Sequence, residues 1–409
     1  MCVEKIKSVF ISFTLVIALI VVYCSDNGTG PADTDLATID LDNTRQVIRG
    51  FGGVNMPGWI DDLTPEQVHK AFGTDPGQIG MTILRIRVPY DDTTFYKEIP
   101  TAQLAKSLGV IIIASPWTPP AWMKTNNNII GGRLNDTSYA SYANHLKAFA
   151  DYMSSNGAPL YAISVQNEPD VRVDYESCDW NASQMLRFVK ENAPAIGTDI
   201  IVPESYNFNH TISDAILNDP VAAANVAIIG GHIYGGGLTR YQLAISKGKE
   251  VWMTEHLDLD TTWVEALVTG KEINDCMNAD MNAYLWWYIR RFYGPIDDNS
   301  NVTKRGYVIS QYARFVRPGF TRVSATENPQ DPVYVTAYAD GSKVVIVAIN
   351  YYAPAIEQEF KIKNGDVTSF TLYVTSSTKN CAQQADISLA NGSFTATLEE
   401  ESVTTFVSN

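Results

Sequence analysis

Val165-Gln166-Asn167-Glu168-Pro169 and Trp252-Met253-Thr254-Glu255-His256 decide how this chain is read. Each closes an apolar run of strand character on a glutamate. Roughly three β/α units separate the two glutamates, and a parallel barrel brings such strand ends to one common face. Outward from them, residues 49–294 alternate between β-rich apolar runs and amphipathic helical stretches. Eight strands are predicted, over residues 50–56, 83–89, 110–115, 161–166, 199–203, 226–233, 250–254 and 283–288. They are continuous apolar runs rather than strict alternations, as parallel strands covered on both faces should be. Helices are predicted over 136–154 and 181–192, the second opened by an Asn cap. The fold class is therefore α/β, a (β/α)8 TIM barrel spanning residues 50–316.

Beyond Arg317 the texture changes. Runs over 334–338 and 343–350 flank Asp340-Gly341, a tight hairpin signal, and further strands are predicted at 370–375, 393–398 and 402–407. With no helical period, residues 317–409 read as an attached all-β sandwich side domain. Residues 37–49 read as an N-terminal strand joining it.

The chain has 409 residues and a net charge of −15, which argues against nucleic acid or an anionic membrane surface as partner. An anionic group on a substrate would need a dedicated local cation. Lys5 and Lys7 precede an apolar run over 9–23, too short and poorly flanked for a durable membrane span. Residues 1–24 thus read as an export signal, with residues 25–36 as a polar linker. The signal looks like the bacterial lipoprotein type, with Cys24 lipidated and the protein held at the cell envelope. An ordinary cleaved signal and a secreted protein form the alternative. Cys178, Cys276 and Cys381 make no disulfide framework, and neither they nor His69, His145, His210, His232 and His256 show metal-ligand spacing. No metal or cofactor is expected, and a monomer is the default.

Two carboxylates facing one bond suit hydrolysis of a glycosidic linkage. Glu168 can protonate the leaving oxygen, and Asn167 can donate to the hydroxyl beside the reacting carbon. Glu255 would attack from the other face. Tyr234, after the sixth strand in His232-Ile233-Tyr234-Gly235, is placed to hydrogen-bond that nucleophile. Trp117 and Trp287 follow strands three and eight and can wall a sugar site. All eight tryptophans lie between Trp59 and Trp287, so the barrel is the sugar reader. The bland reading, in which each glutamate merely forms a salt bridge in a loop, is credible for either motif alone but not for both at matching strand ends.

The sequence resembles glycoside hydrolase family 30, in particular its bacterial glucuronoxylanases (subfamily 8). The resemblance runs through Gly50-Phe51-Gly52-Gly53, Ile83-Leu84-Arg85-Ile86, Ala114-Ser115-Pro116-Trp117, Ala162 to Asp170 and Trp252-Met253-Thr254-Glu255. It continues in Trp286-Trp287-Tyr288-Ile289-Arg290-Arg291, Lys304-Arg305-Gly306-Tyr307, Phe315-Val316-Arg317-Pro318-Gly319 and Ser402-Val403-Thr404-Thr405-Phe406-Val407. It implies a barrel fused to a β-sandwich and endo-cleavage of β-1,4-xylan in glucuronoxylan, the polysaccharide partner. Retention of configuration follows, with Glu168 as acid/base and Glu255 as nucleophile. It also puts Trp287 beneath the reacting sugar and matches Tyr175 to an aromatic of the cleft. Arg291, with Tyr288 and Tyr293 nearby, takes the place of the basic residue that pairs with a methylglucuronate branch. A guanidinium fork suits a carboxylate.

Two departures weaken the implied demand for that branch. Leu257-Asp258-Leu259-Asp260 looks shortened, lacks the tyrosine and serine of the family's loop and adds negative charge, and Val171 replaces an aromatic that some members carry. A glucuronate-independent endo-xylanase is the alternative. A β-glucan or glucosyl-lipid substrate is disfavoured by Arg291 in its Trp287-Tyr288 context, and a non-catalytic surface xylan-binding protein by Glu168, Glu255, Asn167 and Tyr234 together. His256 is expected as a supporting partner beside the nucleophile.

Overall fold

The structure, a computed structural model, describes residues 35–352 and 354–409. The export signal, most of the linker and Cys24 lie outside the described residues. Among those described, no helix is long and apolar enough to cross a membrane.

The chain enters on β1 (Leu36–Val47) and then winds the barrel: β2 (Gly50–Val54), β3 (Ile83–Val88), β4 (Ile111–Pro116), β5 (Ala162–Ser164), β6 (Asp199–Ser205), β7 (Ile228–His232), β8 (Glu250–Glu255) and β9 (Ala283–Tyr288). These eight strands pair in sequence order, all parallel, and β9 closes onto β2. Ile83, Ile113, Ile201, Ile228, Trp252 and Leu285 fill the interior. The layer is fully apolar, so the barrel is a packed core rather than a pore. Gly52 sits where an added Cβ would lie 2.1 Å from the Ile83 carbonyl oxygen, which is why the first strand is a glycine run.

The predicted helices form, with adjusted ends. Ala182–Glu191 is opened by a capping box in which Asn181 and Gln184 satisfy each other's backbone N–H groups. Tyr139–Ser155 follows a short 3-10 turn over Asp136–Ser138. The fourth barrel strand is only three residues long, against the longer run predicted, because the chain leaves the sheet to build the segment that carries Glu168.

The side domain is one mixed sheet that includes β1. Its further strands are β10 (Thr321–Ala325), β11 (Val333–Ala339), β12 (Val344–Asn350), β13 (Ile356–Lys363), β14 (Ser369–Thr375), β15 (Ala382–Gln383), β16 (Ile387–Ser388), β17 (Ser393–Leu398) and β18 (Ser402–Ser408). The order is β15-β14-β18-β12-β11-β10-β1-β13-β17, with β16 on β14. The sheet curls until its far ends meet: the Phe370 ring on β14 lies 5.2 Å from Phe394 on β17, and Phe360 lies 5.2 Å from Phe406. It is thus a sandwich by packing and a single sheet by hydrogen bonding. Helix Lys304–Ala313 joins it to the barrel, where Gln311 O accepts from Thr405 Oγ1 at 2.7 Å.

Candidate active site

The C-terminal ends of the barrel strands converge on an aromatic-walled cleft of ≈ 340 Å³. Trp59, Trp117, Tyr175, Tyr206, Tyr234, Leu257, Trp287 and Tyr288 line it together with Glu168 and Glu255. Trp117 stands 5.8 Å from Trp287 and 5.7 Å from Trp59, which in turn packs edge-on to Tyr175 at 5.8 Å. These flat apolar faces interrupted by two acids fit the stacked C–H faces and hydroxyl edges of a sugar chain.

The glutamates are held differently. Glu255, the last residue of β8, receives Arg85 Nη1 on Oε2 at 2.7 Å and the Tyr234 hydroxyl on Oε1 at 3.0 Å. Glu168 sits just past β5 at φ +46°, a left-handed conformation costly for a residue with a side chain. That strained turn carries its carboxyl to the cleft, and its own N–H donates to the Glu204 carbonyl at 3.0 Å. His232 Nδ1 lies 2.9 Å from Glu168 Oε1 and 3.9 Å from Glu255 Oε1. One oxygen of each glutamate lies within 4.8 Å of the other. That approach is shorter than the ~6.5–9.5 Å between the carboxyls of inverting glycosidases.

Beneath the pair runs a buried charge network. Arg85 is fully buried, and its fork reaches Asn167 Oδ1 at 2.7 Å, Glu204 Oε1 at 3.1 Å and Ser115 Oγ at 3.0 Å. Burial pulls this guanidinium's pKa down, but Glu204 and Glu255 outweigh it and raise it above the ordinary value. Burial would likewise raise the Glu204 carboxyl, yet Arg85 and His232 pull it down to about 2. His232 is pushed up to about 9: burial opposes the charge, and Glu255, Glu168 and Glu204 together override it. The imidazolium is accordingly the stable form at neutral pH. Burial lifts the Glu168 carboxyl above the ordinary range; His232 pulls it back in part, and Glu255 pushes with burial. Burial also drives the Tyr234 phenol far up, so it remains a neutral donor to Glu255. Glu168 thus has the raised carboxyl that suits a general acid, while Glu255 is cradled by donors.

The profile of the glycosyl hydrolase family 30 TIM-barrel domain matches residues 86–250. Glucuronoxylanase XynC of Bacillus subtilis (strain 168) is 42% identical over 400 residues, covering 93% of this chain and 94% of that protein. The chain belongs to glycoside hydrolase family 30. Among solved structures, the subfamily 8 xylanase Xyn30A of Clostridium acetobutylicum superposes with a TM-score of 0.88 at 41% identity, covering 92% of this chain and 100% of that one. A family 30 endoxylanase from Clostridium papyrosolvens C71 gives 0.85 at 39% identity over 91% and 99%.

On this family 30 scaffold, the expected site residues divide into two groups. Glu168, Glu255, Trp117, Tyr175, Tyr234, Trp287 and Tyr288 share the cleft. Asn167, Arg291 and Tyr293 do not line it: Asn167 is buried beneath, held by Arg85. Arg291 is exposed and forms no ion pair among the described residues, while Tyr293 is buried within reach of its hydrogen bond. Arg290, next to it, is the structural one, 3.4 Å from Asp298. The added acids of the loop after β8 turn onto backbone instead: Asp258 Oδ1 accepts from Asp260 N at 2.7 Å, and Asp260 Oδ1 accepts from Thr262 N at 2.8 Å. His256 Nδ1 lies 2.7 Å from Glu272 Oε2, and its ring packs at 5.1 Å on Tyr234, the tyrosine that donates to Glu255. Cys178, Cys276 and Cys381 are buried free thiols.

Sequence reasoning did not single out Arg85, Glu204, His232, Trp59 or Tyr206. Arg85 had a signal, a charge inside an apolar strand, since a buried cation requires a partner. Glu204 had another, a third strand ending on a glutamate.

Proposed function

We propose that the chain is a retaining endo-β-1,4-xylanase acting on glucuronoxylan, with Arg291 binding the glucuronate branch. The observation that carries this reading is the close approach of Glu168 and Glu255 within the aromatic cleft, with an exposed arginine, Arg291, that has no carboxylate partner among the described residues. In the first step Glu255 attacks the anomeric carbon while Glu168 gives its proton to the departing glycosidic oxygen, leaving a xylosyl ester on Glu255. Glu168, now a carboxylate, takes a proton from water as that water attacks the same carbon, which releases Glu255 and restores the acid. Developing positive charge at the ring faces Trp287, and Asn167 is held at the base of the site by Arg85. The names of the Bacillus and Clostridium relatives support xylan as substrate. The amino-terminal basic and apolar segment supports export, with Cys24 as the anchor point.

A second reading, branch-independent cleavage, is favoured by the loop after β8. Its stretch Leu257–Asp260 presents Leu257 to the cleft and a 60% exposed Leu259, and carries no hydroxyl to hold a glucuronate. Digestion of glucuronoxylan and of branch-free β-1,4-xylan by wild type and Arg291→Ala separates the two. Branch reading predicts that only the branched polymer is cut, into products with one glucuronate at a fixed position, and that Arg291→Ala loses this pattern. Equal cutting of both polymers by both proteins establishes a general xylanase.

A further inference from the structure

Trp122 is the one mostly exposed tryptophan of the described chain, at 65%, while the other seven are buried or half-buried. Its indole has neither a hydrogen-bond partner nor an aromatic neighbour among the described residues. It borders a groove of ≈ 640 Å³ distinct from the cleft, between the segments that follow β3 and β4 and the first half of helix Tyr139–Ser155. The groove therefore opens at the same end of the barrel as the cleft. Trp117 in the cleft wall and Trp122 at the groove belong to one short segment, Trp117-Thr118-Pro119-Pro120-Ala121-Trp122.

That segment is anchored. Lys124, buried just beyond it, donates to Thr118 Oγ1 at 2.9 Å and to the Ser177 carbonyl at 2.5 Å, tying the groove wall to the loop after Glu168. Trp122 is thus exposed on a fixed platform. Around it stand Tyr90, Asp91, Asp92, Ser141 and Asn144, each partly or fully exposed. The walls hold no lysine or arginine, and burial pushes the His145 imidazole down, away from its charged form. An aromatic plane ringed by small hydrogen-bonding groups and two acids fits a neutral sugar chain and repels an anionic one.

We infer that the Trp122 groove is a second binding site for polysaccharide, taking an undecorated stretch of the same xylan chain that the cleft cuts. The inference rests on the proposed function for the identity of the sugar. It also divides the labour by charge: the branch lies near Arg291, and the neutral stretch lies beside Asp91 and Asp92.

The test uses the mature protein made inert by Glu255→Gln, run in affinity electrophoresis through a soluble β-1,4-xylan freed of glucuronate. Adding Trp122→Ala should weaken retardation about five-fold, as loss of a tryptophan anchor does elsewhere, and Trp122→Phe should restore most of it. An unchanged melting temperature verifies that the variants are folded. Equal retardation with and without Trp122→Ala overturns the inference. Cleavage assays on the wild type keep the two claims apart. A wild type that cuts xylan, with Trp122-independent retardation, removes only the groove. A wild type that cuts none removes the proposed function, and Trp122-dependent retardation would then still support a glycan site.

Discussion

His232 faces Glu168 and Glu255 at 2.9 and 3.9 Å through one nitrogen, and Glu204 at 4.0 Å through the other. Its charge therefore works on Glu168 directly and lowers a pKa that burial has raised. Replacing it by a neutral apolar residue of similar size removes that counterweight. For His232→Leu the alkaline limb of the kcat/KM profile, set by deprotonation of the general acid, should move up by about one pH unit. The pH–rate profile checks this; a limb that stays put or moves down contradicts the assignment of Glu168 as the acid. The same residue shows why part of the site escaped sequence reasoning. Glu168 and Glu255 end strands in motifs that can be read alone. His232, Arg85 and Glu204 gain their roles only from one another, across strands distant in sequence, and spacing along the chain carries no trace of that.

The barrel elements were legible because parallel strands buried on both faces leave unbroken apolar runs. Half-covered elements were harder. Ile356–Lys363 alternates charged and apolar side chains, with Gln358, Phe360 and Ile362 inward, so its sequence resembles a polar loop until its neighbours are known. Thr321–Ala325 is short and was missed likewise. What holds these strands is the aromatic seam in which Phe394 touches Phe360 at 4.8 Å, Phe370 at 5.2 Å and Phe406 at 5.4 Å. Phe394→Ala should cost about 3–5 kcal/mol by transfer and cavity terms together, read by denaturant unfolding. A loss below about 1 kcal/mol would mean that the curled sheet closes without this contact.

Over the whole molecule the chain is acidic, with net charge −15, and two of its arginines are placed in opposite ways. Arg85 is spent internally on Glu255, Glu204 and Asn167, and Arg291 is left exposed above. Fold and family could be read from strand-end motifs spread over the chain. Whether Arg291 reads a branch could not, because that depends on how residues distant in sequence meet around it. The central claim is chemical: two glutamates within 4.8 Å act by double displacement. Proton NMR of the first products released from glucuronoxylan tests it most directly. The account predicts that new reducing ends appear as the β-anomer and only then mutarotate; α-anomer formed first, or no new reducing ends at all, contradicts it.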